Sequence, residues 1–228
     1  MNKTEFEILK RIGKNPKIFI TGTGTDVGKS YATGWLAHEL NNICISCITQ
    51  KFIQTGNQGR SEDIELHRKI MGRGLLNEDL DQTTFPEVFS YPCSPDLAAR
   101  IDKREIDFNK ILNATNRLEE AFDVVLIEGA GGIMVPLKDF YLTADYIRDQ
   151  KLPAIVVISG ELGSINHALL TLNAVKDYNI PLLGVIYNPF FDKDKIICED
   201  TRRFLKEWIN VKFDNPFWLD MPQKITLH

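Results

Sequence analysis

The residue types that could do chemistry begin at Gly22-Thr23-Gly24-Thr25-Asp26-Val27-Gly28-Lys29-Ser30, directly after the apolar run Ile18-Phe19-Ile20-Thr21. Glycines let a turning backbone aim its N–H groups at a phosphate. A lysine adds charge, and a serine hydroxyl can hold Mg²⁺. Against the common pattern G-x-x-x-x-G-K-S/T, the spacing from Gly22 to Gly28 is one residue too long, and the formal first position is Thr23. Lys51 follows a second apolar run, Ile43–Gln50. It reads either as an exposed strand-end lysine or as a second cation facing the first loop, where two cations and Mg²⁺ suit the charge on a transferring phosphoryl group. Glu128 ends a third apolar run, Phe122–Ile127, and precedes Gly129-Ala130-Gly131-Gly132. A carboxylate there resembles the acid that supports Mg²⁺ in phosphate-loop enzymes, and the small residues give a ligand close access to backbone. Asp63 lies beside a helix start, where an N-cap and an oxygen ligand are equally good readings. Leu162-Gly163-Ser164-Ile165-Asn166-His167 opens another helix, whose free N–H groups could take an anion.

The elements that must position these residues alternate between strand and helix. Strands are expected at Lys17–Thr21, Ile43–Gln50, Phe122–Ile127, Pro153–Ser159 and Pro181–Tyr187, with a short one around Val88–Tyr91. Helical spacing is expected from Gly28 to Leu40, at Asp63–Met71, Asp96–Arg100, Asp107–Ala121 and 143–150, from Leu162 onward, and from Asp194 to Ile209. The tail around Phe217-Trp218-Leu219 reads as irregular. This alternation predicts an α/β fold of three layers, a mostly parallel sheet flanked by helices, as in phosphate-loop NTPases. In such sheets ligands bind beyond the carboxyl ends of the strands. The loop, Lys51, Thr55, Glu128 and Asn188 all fall at strand ends, so they converge on one edge.

Composition sets the frame. The chain has 228 residues, 43% hydrophobic and 25% charged, with a net charge of −4. It reads as an N-terminal extension (residues 1–16) and one phosphate-loop α/β domain (17–228). The balance offers no general attraction to nucleic acid or an anionic membrane. No apolar run reaches the length of a membrane span or follows the basic N-terminal residues as a signal core, so a cytoplasmic protein is expected. Cys44 and Cys47 form a C-x-x-C within Ile43–Ile48. In a strand, residues three apart point to opposite faces, so a redox or metal pair is not expected. His38, His67, His167 and His228 are scattered and suggest no metal cluster.

Taken together, these motifs resemble the dethiobiotin synthetase family over about residues 17–220. The resemblance rests on Thr21–Ser30 with its long spacing, Lys51-Phe52-Ile53-Gln54-Thr55-Gly56, Glu128–Gly132, Leu162–Leu170, and Ser94-Pro95 before Leu97-Ala98-Ala99. It implies an ATP-dependent carboxylase that adds CO₂ to 7,8-diaminononanoate and closes the cyclic urea through a carbamic–phosphoric anhydride. It further implies that Asp26-Val27-Gly28-Lys29-Ser30-Tyr31 wraps the ATP phosphates and that Ser30, Asp63 and Glu128 hold Mg²⁺. Lys51 would be the active-site lysine, with Lys29 beside it. Gly129, Ala130 and Gly131 would line the nucleotide site, and Asn188, Pro189, Phe217, Trp218 and Leu219 would lie at the adenine. Thr55 would meet the substrate, and Leu162, Gly163, Ser164, Ile165 and Asn166 would take its carboxylate, supplied by the second subunit of a homodimer. Three positions depart from the family's habit: Phe52 where proline is usual, Asp96 where a basic residue or histidine is common, and Glu161 before the anion-binding helix. The alternatives are a partitioning-type ATPase switch and a catalytically silent nucleotide-binding paralogue. Switch ATPases of that type typically carry an extra lysine near the start of the loop, and Gly22–Val27 holds none.

Overall fold

The computed structural model describes residues 3–225 and 227; Met1, Asn2, Thr226 and His228 lie outside the described residues. In chain order the strands are β1 (Lys17–Gly22), β2 (Cys47–Lys51), β3 (Gln54–Thr55), β4 (Val88–Phe89), β5 (Val124–Glu128), β6 (Pro136–Lys138), β7 (Tyr141–Leu142), β8 (Ala154–Ser159), β9 (Leu182–Asn188) and β10 (Phe217–Asp220). The helices are α1 (Lys3–Ile12), α2 (Lys29–Asn42), α3 (Glu62–Ile70), α4 (Asn77–Leu80), α5 (Pro95–Ile101), α6 (Phe108–Ala121), α7 (Thr143–Asp149), α8 (Ser164–Asp177) and α9 (Lys195–Lys212). Six strands form one parallel sheet in the order β10-β9-β8-β1-β5-β2.

Alternation along each strand makes two cores. Ile18, Ile20, Val124, Leu126, Ile155 and Val157 meet α1 and α2, through Leu9, Ile12, Ala32, Leu36 and Leu40. Phe19, Val125, Ile127, Val156 and Ile158 meet the opposite layer, where Ile111 and Leu118 of α6, Leu172 of α8 and Leu205 of α9 lie. A central parallel strand covered on both faces must be apolar on both, which is why these runs are almost unbroken in the sequence. The predicted three-layer α/β class holds. The segment expected as an N-terminal extension is largely helix α1, and its Leu9 and Ile12 are buried against the sheet.

Register delivers the site. Lys51 pairs with Glu128 across β2 and β5, and Ile20 pairs with Glu128 across β1 and β5. Paired residues on neighbouring strands project to the same face. One β-strand pairing therefore sets a cation beside a carboxylate where β1 runs into the glycine loop.

Two expectations are corrected. Phe217–Leu219 is not irregular: it lies in β10, the edge strand paired with β9. Gly184 makes the close approach possible, since a Cβ there would stand 2.4 Å from the Phe217 ring. Strand β2 starts at Cys47 rather than Ile43. Ile43 caps α2 and Cys44 adopts a left-handed φ of 62°, so the β-branched run is spent on a turn. Cys44 is exposed, Cys47 is buried and both thiols are free, and Cys44 lies outside the strand that was expected to hold both.

Phe52 accounts for one departure. Its N–H donates to the Glu128 carbonyl at 2.9 Å. Its ring is fully buried, with centroids 5.5 Å from Phe19 and 4.5 Å from Tyr146. Proline at this position would lose both the donor and the ring. Phe52→Pro is expected to cost about 3–5 kcal/mol for the ring and about 1 kcal/mol for the backbone bond. Urea denaturation measures it, and a loss under 1 kcal/mol would show that the core refills.

Candidate active site

The loop Thr23–Gly28 crosses from β1 to α2 at the carboxyl edge of the sheet. Asp26 has φ 60° and Gly28 φ 95°. Gly28 is required twice over: its φ is left-handed, and a Cβ would meet the Asn188 side-chain nitrogen at 2.2 Å. Asn188, at the end of β9, is engaged on both sides of its amide. Nδ2 donates to the Val27 carbonyl at 3.0 Å, and Oδ1 accepts from the Phe190 N–H at 3.1 Å. The loop is thus tied to a distant strand end before any ligand arrives.

Helix α3 brings in Asp63. Its N-cap is Ser61, whose Oγ accepts from the Ile64 N–H at 3.2 Å and donates to Gln54 Oε1 at 2.5 Å. Ser61, not Asp63, therefore caps the helix, and the Asp63 carboxylate points to the loop. Ser30 Oγ lies 2.6 Å from Asp63 Oδ1 and 2.8 Å from Glu128 Oε1. Lys51 Nζ lies 2.7 Å from both Asp63 Oδ2 and Glu128 Oε1 and 3.3 Å from the Gly129 carbonyl.

The electrostatics follow from burial. Burial opposes the Glu128 charge, but the Lys51 ammonium and the hydrogen bond from His67 outweigh it and hold the carboxyl well below its usual range. Burial likewise opposes the Lys51 charge, and Glu128 and Asp63 overcome it to hold its pKa above the ordinary lysine value. Lys29 differs. Burial, aided by the nearby Lys51 charge, lowers its pKa to about 8 despite the opposing pull of Glu128. Its Nζ donates to the Gly24 carbonyl of its own loop at 2.6 Å.

A pH prediction follows for Lys29. Because the free protein holds it near pKa about 8, ADP affinity is expected to fall by at most about tenfold per pH unit above that value. Calorimetric titration from neutral to alkaline pH measures this, with Lys29→Met giving a weak but flat profile. An alkaline slope that persists in Lys29→Met would assign it elsewhere.

Ser30, Asp63 and Glu128 suit Mg²⁺. One hydroxyl and two carboxylates leave positions for phosphate oxygens and water, the usual arrangement for this ion. Among the described residues no group of three His, Cys, Asp or Glu side chains forms a protein-only metal cage.

A cleft of about 1110 Å³ opens over these groups. It is lined by Asp26, Gly28, Lys29, Ser30, Tyr31, Lys51, Thr55, Asp63, Glu128, Ala130, Gly131 and Asn188 of the expected set. Val27 and Gly129 contribute backbone carbonyls to Asn188 and Lys51. Pro189 is buried at the start of a single 3₁₀ turn. The Phe217–Leu219 stretch does not line the cleft. Phe217 and Leu219 are buried in β10, and Trp218 stacks on Tyr187 at 5.8 Å. The chain just beyond, from Met221 to Ile225, lines it instead.

Leu162–Asn166 also stands apart from this cleft. Leu162 is 85% exposed, Gly163 has φ 92°, and the buried Ser164 hydroxyl has no hydrogen-bond partner among the described residues. Glu161 is exposed and Asp96 pairs with Arg100 at 3.0 Å.

Sequence reasoning missed His67, which bonds to Glu128 from inside the core. The signal was its spacing from Asp63, because residues four apart share a helix face.

A family model described as an AAA domain matches residues 16–213. The chain is 47% identical to an ATP-dependent dethiobiotin synthetase, BioD 2, of Pasteurella multocida, over 84% of this chain and 90% of that protein. It is 44% identical to an ATP-dependent dethiobiotin synthetase, BioD, of Chlorobaculum tepidum, over 86% and 82%. Among solved structures it is similar to the BceF tyrosine kinase domain, with a TM-score of 0.52 and 14% identity over 80% of this chain and 73% of that one, a likeness of fold alone.

Proposed function

The chain belongs to the ATP-dependent dethiobiotin synthetase family, and on that premise we propose how its residues divide the work. The activity is that of a ligase of biotin biosynthesis: CO₂ and 7,8-diaminononanoate are joined, and ATP drives closure of the cyclic urea to dethiobiotin. The observation that carries the assignment of roles is the convergence of Lys51, Glu128, Asp63 and Ser30 within hydrogen-bond distance at the mouth of the glycine loop.

In this reading one amine of the diamine attacks CO₂, loses a proton and becomes a carbamate. A carbamate oxygen attacks the γ-phosphorus as the bond to ADP breaks, giving the anhydride. The second amine then attacks the carbamoyl carbon, the bond to phosphate breaks, a proton leaves and the ring closes. The protein's part is position and charge rather than covalent chemistry. Amides of Asp26–Tyr31 and the Lys29 ammonium hold the phosphates. Lys51 lies beside the transferring group and offsets its charge. Thr55 meets the diamine. Ser30, Asp63 and Glu128 hold Mg²⁺, which when bound would draw charge from the phosphate oxygens. Gly129, Ala130 and Gly131 let the nucleotide approach backbone, with the adenine toward Asn188 and Pro189.

We also propose a homodimer. Leu162–Asn166 presents helix N–H groups and an exposed leucine away from its own chain's cleft, beside a buried hydroxyl with no partner among the described residues. That arrangement suits a carboxylate site completed by a second copy. A cytoplasmic location accords with four free thiols. Among the described residues, no helix is long and apolar enough to cross a membrane.

The test is direct. Purified protein with MgATP, bicarbonate and 7,8-diaminononanoate is expected to give dethiobiotin by mass spectrometry, with ATP turnover dependent on the diamine. ATP turnover indifferent to the diamine would favour the switch reading. Binding of ATP without either product would favour a silent paralogue.

A further inference from the structure

His67 takes no part in the chemistry described above, yet it is fully buried and bonded to the central carboxylate. Its Nε2 lies 2.7 Å from Glu128 Oε2, and its Nδ1 lies 3.0 Å from Thr49 Oγ1. Thr49 Oγ1 is also 2.9 Å from Arg68 Nη1. Arg68 is held in turn by Asp79 through two bonds of 2.8 Å, and it too is buried. Asp79 is anchored by the Leu76 N–H and the Thr84 hydroxyl, each at 2.7 Å.

The chemistry of these groups gives the chain a direction. A guanidinium has no acceptor, so Arg68 must donate to Thr49. The Thr49 hydroxyl hydrogen is then available to His67 Nδ1, and the Nε2–H donates to Glu128. Each bond along Asp79–Arg68–Thr49–His67–Glu128 then joins one donor to one acceptor. Glu128 therefore has its two oxygens assigned: Oε2 receives His67, while Oε1 receives Ser30 and Lys51. Without a donor on Oε2, the terminal torsion of a glutamate is soft. Lys51 could then engage both oxygens and turn the carboxylate away from Ser30.

Two further features support the arrangement. Asp63 and His67 are one turn apart on α3, so a single helix supplies a group to each side of Glu128. Gly34 of α2 admits that helix: a Cβ there would stand 3.2 Å from the His67 Cα and 3.0 Å from Ile70 Cδ1.

We infer that His67 is a positioning residue, fixing the Glu128 carboxylate so that Oε1 faces Ser30, Asp63 and Lys51, with its own tautomer set by Arg68 through Thr49. The inference rests on the proposed Mg²⁺ site at Ser30, Asp63 and Glu128. Partners that orient a metal ligand from behind commonly change metal affinity by about 10–100-fold when removed.

The test compares His67→Leu, His67→Gln and Asp63→Asn in the full chain. Mn²⁺ binding in the presence of ADP is followed by electron paramagnetic resonance, with metal-free ADP affinity and thermal stability alongside. The expected result is a loss of metal affinity of about 10–100-fold in His67→Leu, substantial recovery in His67→Gln, whose amide N–H can still reach Oε2, and unchanged metal-free ADP affinity. Should the leucine variant fail to fold, Thr49→Val against His67→Gln replaces it, with weaker metal binding expected only in Thr49→Val. Loss in Asp63→Asn with normal metal affinity in a folded His67→Leu or Thr49→Val protein would overturn the positioning role. Equal loss in His67→Leu and His67→Gln would also overturn it. Normal affinity in Asp63→Asn would instead refute the metal site on which the inference rests.

Discussion

Lys51→Gln is expected to lower kcat for dethiobiotin formation by about 10²–10³-fold, the usual cost of removing one preorganised charge from a transition state. ADP affinity should change far less, because Lys29 and the loop amides remain. Lys51 is the counter-ion of two carboxylates, 2.7 Å from each. Its side chain is 7% exposed, so its charge is poorly screened. Glutamine keeps a donor, one atom shorter, but not the charge. It leaves Glu128 and Asp63 facing one another, and breaking a buried pair from one side costs on the order of 3–5 kcal/mol. Asp63 is one-quarter exposed, which puts the expected loss toward the lower figure. Two measurements separate the effects: single-turnover chemistry with saturating MgATP, and chemical denaturation without ligand. If kcat is unchanged, Lys51 has no role in the chemistry. If ADP affinity falls as far as kcat, Lys51 is a ground-state binder.

The sequence carried the centre of this site because its residues sit at strand ends. Apolar runs ending in Gly22, Lys51, Glu128 and Asn188 need only the rule that parallel strands finish on one edge, and the register then joins Lys51 to Glu128. The parts that escaped depend on contacts between distant segments. Four residues after Asn215-Pro216 make a weak strand signal; they become β10 because Gly184 lets Phe217 lie on β9. Ile43–Ser46 looked like strand, yet the turn out of α2 takes Cys44 into a left-handed conformation, and tertiary context overrides β-propensity. Nothing in the local sequence marks His67 and Arg68 as buried. Their burial requires Thr49 on β2 and Asp79 on α4, two partners that no local window contains.

Glu128→Gln should damage both stability and metal binding. The carboxylate accepts from Ser30, Lys51 and His67 with no solvent exposure. An amide offers one oxygen and one NH₂, so at least one of those donors faces another donor. The expected destabilisation is about 3–5 kcal/mol at neutral pH. Its pH dependence has a definite sign. The Glu128 pKa is depressed in the folded protein, so its stabilisation is complete above the unfolded glutamate value of about 4.3 and is lost as pH falls below it toward the folded value. The stability gap between the wild-type protein and Glu128→Gln should therefore be constant at neutral pH and narrow steadily below about pH 4.3. Urea denaturation across that range measures the gap directly. A gap that stays constant into acid would mean that shape, rather than charge, makes Glu128 indispensable, and the ion pair with Lys51 would lose its place as the electrostatic centre of the site.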